Sequence, residues 1–261
     1  MNDRVLYAVS EGVAVVTFNR PAVMNALDAD AIRAFRGACE RAETDAAARV
    51  VVLRGAGPAF VAGGDVAMFR SNLSAMAALV PELAGELHRG ILALRRAPKP
   101  VLAAVHGAVA GAGVSIMLAC DLVLAAADTQ FSVAYSRIGA SPDGGATWFL
   151  PLLAGYQRAM ELMLLADAVD VDTMQRLGVV NHVIAADQLA AETEKLARRL
   201  AAGPARAFAE TKALANRALH DGLAAQLDAE ALAFARCAAT RDFAEGVTAF
   251  VEKRKPVFRG D

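Results

Sequence analysis

Val101-Leu102-Ala103-Ala104-Val105-His106-Gly107-Ala108-Val109-Ala110-Gly111-Ala112-Gly113 is the stretch on which the reading of this chain turns. Its first five residues are apolar and read as a short buried strand, preceded by Pro98-Lys99-Pro100 and followed by a glycine-rich loop. Helical apolar spacing resumes over residues 113–120. Glycine takes backbone angles closed to other residues and lets the chain approach a ligand. A helix start adds unpaired N–H groups and a favourable dipole. Phe60-Val61-Ala62-Gly63-Gly64-Asp65 repeats the design after a second buried strand, residues 49–54, with Asp65 as a candidate helix cap. Two N–H groups aimed at one point would form an oxyanion hole, in which one donor is worth roughly 3 kcal/mol in a transition state. Taken alone, each turn is equally well explained by tight packing of strand on helix. Neither is a phosphate cradle: G-x-x-x-x-G-K-[ST] is absent, and Gly111-x-Gly113 lacks the third glycine of a dinucleotide fingerprint.

Outward from these loops, strands and helices alternate up to about residue 135. Residues 5–9 and 13–18 predict a hairpin around Ser10-Glu11-Gly12, and Asp28 predicts a helix cap with Ile32, Phe35 and Cys39 on one face. A helix over 80–96 and short strands at 123–126 and 131–133 complete this half. After Pro142-Asp143-Gly144-Gly145 the chain turns Ala- and Leu-rich with helical spacing, apart from a strand-like run at 179–184. Gly203-Pro204 separates two of the helices. The division expected is an α/β core over 1–200 and a helical segment over 201–261.

Composition removes several function classes. The 27 basic and 28 acidic residues give a formal net charge of -1, which offers nucleic acid no basic footprint. Residues 101–127 are apolar enough to be weighed as a membrane span. They carry His106, Ser115, Asp121 and several glycines, and a buried strand–loop–helix explains them better. Cys39, Cys120 and Cys237 show no C-x-x-C spacing, so they read as buried free thiols of a cytoplasmic protein. His106, His182 and His220 have no ligand spacing and imply no metal.

Several motifs together resemble the enoyl-CoA hydratase/isomerase (crotonase) superfamily along nearly the whole chain. They are Asn19-Arg20-Pro21 with Asn25-Ala26-Leu27, the loop from Ala59 to Asp65, Lys99-Pro100-Val101 through Gly107, Gly111-Ala112-Gly113 and Ala119-Cys120-Asp121. Ile138-Gly139-x-x-Pro142-Asp143-Gly144-Gly145, Leu177-Gly178-Val179-Val180 and Phe250 through Lys255 continue the series. The resemblance implies repeated ββα turns, two roughly perpendicular sheets and a C-terminal helical trimerisation segment, in a homotrimer or hexamer. It also implies an acyl-CoA thioester substrate, coenzyme A being part of the substrate and no separate cofactor being needed. The thioester carbonyl would lie between the N–H groups of Gly64 and Ala112, with Ala62, Gly63, Asp65, Met24 and Ala26 around it. Lys253 matches a position that meets the CoA phosphates across a subunit interface.

The two glutamates of typical family hydratases fall on Ser115 and Tyr135. Neither replaces a carboxylate base, a free tyrosine having a pKa near ~10. Asp143 remains; bare Pro-Asp-Gly-Gly is a turn, but isomerase-like members use an aspartate there as acid/base. The sequence therefore points to double-bond isomerisation through an enolate. Three alternatives stand beside it: a hydratase-like activity, a dehalogenase-like substitution using Asp143 and His88, and a non-catalytic acyl-CoA binder.

Overall fold

The computed structural model describes residues 3–219 and 223–260; His220 lies outside them. The expected hairpin forms: β1 (Val5–Ser10) and β2 (Val13–Phe18) pair antiparallel about a turn in which Glu11 and Gly12 both take positive φ, 50° and 78°. The Asp28 carboxylate accepts from Ala31 N–H at 2.9 Å and so starts α1 (Ala29–Thr44). The chain then runs through β3 (Val50–Gly55), α2 (Val66–Ser71), α3 (Met76–Arg96), β4 (Val101–Val105), β5 (Ala108–Ala110) and α4 (Ala112–Leu118). Next come β6 (Leu122–Ala126), β7 (Gln130–Ser132), α5 (Ala146–Ala154), α6 (Tyr156–Leu165), β8 (Val169–Asp170), α7 (Val171–Arg176) and β9 (His182–Ile184). Four helices close the chain: α8 (Leu189–Ala201), α9 (Ala205–Ala218), α10 (Leu223–Ala238) and α11 (Arg241–Val251).

Six strands form one sheet in the order β1-β2-β3-β4-β6-β9, parallel from β2 onward. A second sheet has the order β5-β7-β8. Successive turns of chain give one strand to each sheet: β4 then β5, and β6 then β7. The turn before them does the same in reduced form, since β3 is followed by Val61, bridged in parallel to Val109. This is the repeated ββα winding expected from the resemblance.

Central strands buried on both faces explain the continuous apolar runs. Val51 and Leu53 of β3 enter the main core with Phe18, Phe35 and Phe60. Phe18 stacks on Phe35 and meets Phe60 edge-on, both with centroids 5.5 Å apart. Val50 and Val52 point to the other face, where Leu102, Ala104 and Leu124 pack under α8. The thiols of Cys39 and Cys120 are buried and pushed up by that burial, whereas Cys237 is only half-buried.

Three expectations change. The run at 179–184 is a strand only from His182, because the N–H groups of Val179 and Val180 turn back to Met174 O at 3.0 and 3.2 Å and close α7. α3 begins at Met76 rather than residue 80 and carries Pro81 inside it. β5 occupies what reads as loop, three residues being too few to show a period.

Candidate active site

The two glycine loops meet. A Cβ placed on Gly111 would lie 3.5 Å from Gly63 Cα, so these backbones are in van der Waals contact. Both glycines need positive φ, 48° at Gly111 and 100° at Gly63. Gly113 is held as tightly: a Cβ there would stand 2.1 Å from Val61 O. The residues after the abutting pair are Gly64 and Ala112.

Hydrogen bonding fixes the direction of Gly64. Leu27 N–H donates to Gly63 O at 2.8 Å and Asp65 N–H to Leu27 O at 2.9 Å, the pattern of a parallel bridge. The flanking residues spend their polar groups on Leu27, so Gly64 N–H projects to the opposite side. Ala112 is the first residue of α4 and its N–H has no intrahelical acceptor. Among the described residues, neither N–H has a hydrogen-bond partner.

The first loop is braced from the N-terminal motif. Buried Asn25 donates through Nδ2 to the carbonyls of Ala56, Ala59 and Phe60 at 2.8–3.0 Å and accepts from Arg20 N–H at 2.7 Å. Ala62 N–H donates to Met24 O at 3.0 Å, and Arg20 donates to Ala26 O, which draws Met24 and Ala26 to the loop. Asp65 caps α2 by accepting from Ala67 and Met68 N–H, and pairs with Arg20 at 3.1 Å. Burial pushes the Asp65 carboxyl up, but the Met68 N–H and the Arg20 guanidinium outweigh it and hold the group below its ordinary range.

Ser115, Tyr135, Asp143 and His88 form the second cluster. Tyr135 Oη donates to Asp143 Oδ1 at 2.6 Å, and Ser115 Oγ donates to Asp143 O at 2.8 Å. Ser115 lies three residues after Ala112 on α4, about 4.5 Å along the axis, so this bond ties the Asp143 backbone to the helix that begins at Ala112. Burial, then the neighbouring Asp143 charge, push the Tyr135 phenol far above its ordinary value. Gly144 N–H donates to His88 Nε2 at 3.3 Å, so that nitrogen is the acceptor and the ring carries its proton on Nδ1. Gly144 and Gly145 both take positive φ, 60° and 87°, which makes the sharp turn after Asp143.

Lys253, which the resemblance places at the CoA of a neighbouring subunit, lies apart from both clusters. It is exposed on the turn after α11, and no bond among the described residues links it to the Asp143 turn. Asn25 and Arg20 organise the loop, yet sequence reading assigned them no part in the site. Their signal was the Asn19-Arg20-Pro21 and Asn25-Ala26-Leu27 pattern, whose partners in the loop lie more than 30 residues downstream. Two cavities, of about 660 and 760 Å³, lie elsewhere: one under α9 beside Asp121 and Lys212, the other on the sheet face under α8. Neither includes Asp143. Among the described residues there is no cluster of three or more metal-binding side chains, and no helix is long and apolar enough to cross a membrane.

A wound α/β core with two glycine loops abutting at a helix start defines a crotonase-type protein. The chain belongs to the enoyl-CoA hydratase/isomerase family, whose model matches residues 8–261. It is 40% identical over 257 residues to a Rhodobacter capsulatus protein named as a probable enoyl-CoA hydratase, covering 97% of both chains. It is 35% identical to the 1,2-epoxyphenylacetyl-CoA isomerase of Escherichia coli, covering 100% of both. The crystal structure of an enoyl-CoA hydratase from Polaromonas sp. JS666 superposes with a TM-score of 0.93 at 34% identity, over 98% of this chain and 99% of that one.

Proposed function

We propose that this member of the family is an enoyl-CoA isomerase that moves a double bond along an acyl thioester, with Asp143 as the acid/base group. The observation that carries the reading is the replacement of a two-carboxylate site by Ser115 and Tyr135. Their hydroxyls lie 3.2 Å apart and both bond to Asp143. A hydration needs one group to activate water and another to protonate the α-carbon. Among the described residues, Asp143 is the carboxylate bonded in this cluster, and one carboxylate suffices for isomerisation.

In this reading the thioester oxygen sits between Gly64 N–H and Ala112 N–H. Asp143 removes a proton from C2 of a 3-enoyl-CoA, the two amides hold the dienolate oxygen, and the proton returns at C4. Ala62, Gly63 and Asp65 shape the oxyanion side, and Met24 and Ala26 border the acyl group. The dehalogenase-like alternative needs His88 as a base on water, whereas its Nε2 lone pair is taken by Gly144 N–H.

The same reading makes the protein a cytoplasmic homotrimer, or a hexamer of two trimers. Supporting this are the large apolar side chains exposed on α5 and α6, among them Trp148, Leu152, Leu153 and Tyr156, and Phe250 and Val251 on α11. Lys253 would then reach the CoA phosphates of a neighbouring subunit, and residues 201–261 would form the oligomerisation segment. The test is isomerisation and solvent-deuterium uptake with 3-enoyl-CoA substrates. Asp143→Asn is expected to lose at least about 100-fold in kcat, within the usual contribution of a general acid/base. Undiminished turnover in that variant would remove the assignment.

A further inference from the structure

We infer that Tyr135 is a positioning residue that fixes Asp143 by its Oδ1 and leaves Oδ2 as the oxygen that both takes and returns the proton. The inference rests on the isomerase reading above and deepens it.

Proton counting assigns the donors. In the 2.6 Å contact the Tyr135 hydroxyl donates and Asp143 Oδ1 accepts. Ser115 has one proton, and its shorter contact, 2.8 Å against 3.2 Å, is to Asp143 O rather than to the phenol. The phenol proton is therefore committed to Oδ1. Asp143 Oδ2 has no partner among the described residues and is not one of the buried unpartnered atoms.

The anchor answers a local need. Asp143 is followed by two glycines in left-handed conformation, a turn with little steric restraint of its own. Tyr135 comes from the opposite end of the same loop, where its carbonyl accepts from Ile138 and Ala140 N–H at 3.0 and 3.1 Å. Loop start and loop end are thus tied through one side-chain contact.

The chemistry follows. The C2–H bond breaks, its proton goes to Oδ2, and its electron pair becomes part of the dienolate. The Oδ2–H bond then breaks, a C4–H bond forms, and the carboxylate and a 2-enoyl thioester are regenerated. A carboxylate pinned at Oδ1 cannot swing its protonated oxygen away between the two steps. The same proton is therefore returned before it exchanges with water.

The experiment uses 3-enoyl-CoA carrying deuterium at C2 and reads the share of label that arrives at C4. Tyr135→Phe should leave KM within about twofold, lower kcat about tenfold, a typical loss for one hydrogen bond to a charged group, and shift label from product to water. Ser115→Ala, which leaves the phenol–carboxylate contact in place, should lower kcat yet carry the wild-type share of label. Unchanged label transfer in Tyr135→Phe, or an equal loss in Ser115→Ala, overturns the inference. Asp143→Asn separates the two claims: if it keeps full isomerisation, the acid/base reading itself falls. If it is inactive while Tyr135→Phe partitions label normally, only the role of Tyr135 falls.

Discussion

Tyr135 Oη donates to Asp143 Oδ1 across 2.6 Å in a half-buried contact, and the two residues stand at the positions where the chain leaves β7 and enters the turn before α5. Burial and the carboxylate both oppose a negative phenolate there, so the phenol holds its proton well above the ordinary tyrosine range. The sign is that of a group whose folded value is raised. Its contribution to stability is complete below pH ~10, where the unfolded chain is still protonated, and declines above it as the unfolded chain ionises first. Comparing wild type with Tyr135→Phe, native-state titration should show no phenolate absorbance from Tyr135 near pH ~10. The loss of stability above that pH should be shallower in the variant. A Tyr135 half-ionised at ~10 in the folded protein would contradict the buried donor.

Gly113→Ala tests the contact between helix start and strand. The added Cβ would meet Val61 O at 2.1 Å, and neither atom can rotate away, one being a backbone carbonyl oxygen and the other fixed directly on Cα. Overpacking of this kind costs about 1–3 kcal/mol, and the upper end is expected here. Because Ala112 N–H must move with the helix, kcat should fall as well. Gly37 supplies the control, since a Cβ there meets nothing within 4 Å in the middle of α1. Gly37→Ala should gain about 0.5–1 kcal/mol from helix propensity. Urea midpoints of the two variants decide the matter, and equal shifts would remove the steric argument.

The core strands and both glycine loops were legible because burial on both faces and glycine spacing leave local marks. Strand β3 reads as a continuous apolar run, and its residues do alternate between two cores. The bracing of the site was not legible. Asn25 binds three carbonyls 31, 34 and 35 residues away, and no local period encodes such partners. His88 shows the same limit: the resemblance offers it for a dehalogenase-like substitution, and no local period shows that its Nε2 accepts from the Gly144 amide. β5 and β8, of three and two residues, are strands only because tertiary pairing makes them so.

Lys212→Met tests how the helical segment is tied to the core. The ammonium of Lys212, on α9, donates to Asp121 Oδ2 at 2.8 Å, to Leu94 O at 2.7 Å and to Lys99 O at 3.2 Å, which accounts for its three protons. Burial pushes the lysine down from its ordinary value, and Asp121 opposes that shift. Methionine fills much of the same volume but leaves two carbonyls without their donor and Asp121 without its closest cation. Removing one partner of a fully buried pair costs about 3–5 kcal/mol, and this pair is only partly buried, with 9% and 22% of the two side chains exposed. The lower figure is expected, because Arg95 and Val101 N–H remain on the Asp121 carboxylate. Asp121→Asn in the same background should cost less than it does alone, with a coupling above about 1 kcal/mol for residues in direct contact. Additive losses would mean that α9 is held by its apolar face, and that the Lys212–Asp121 pair merely sits between the two layers.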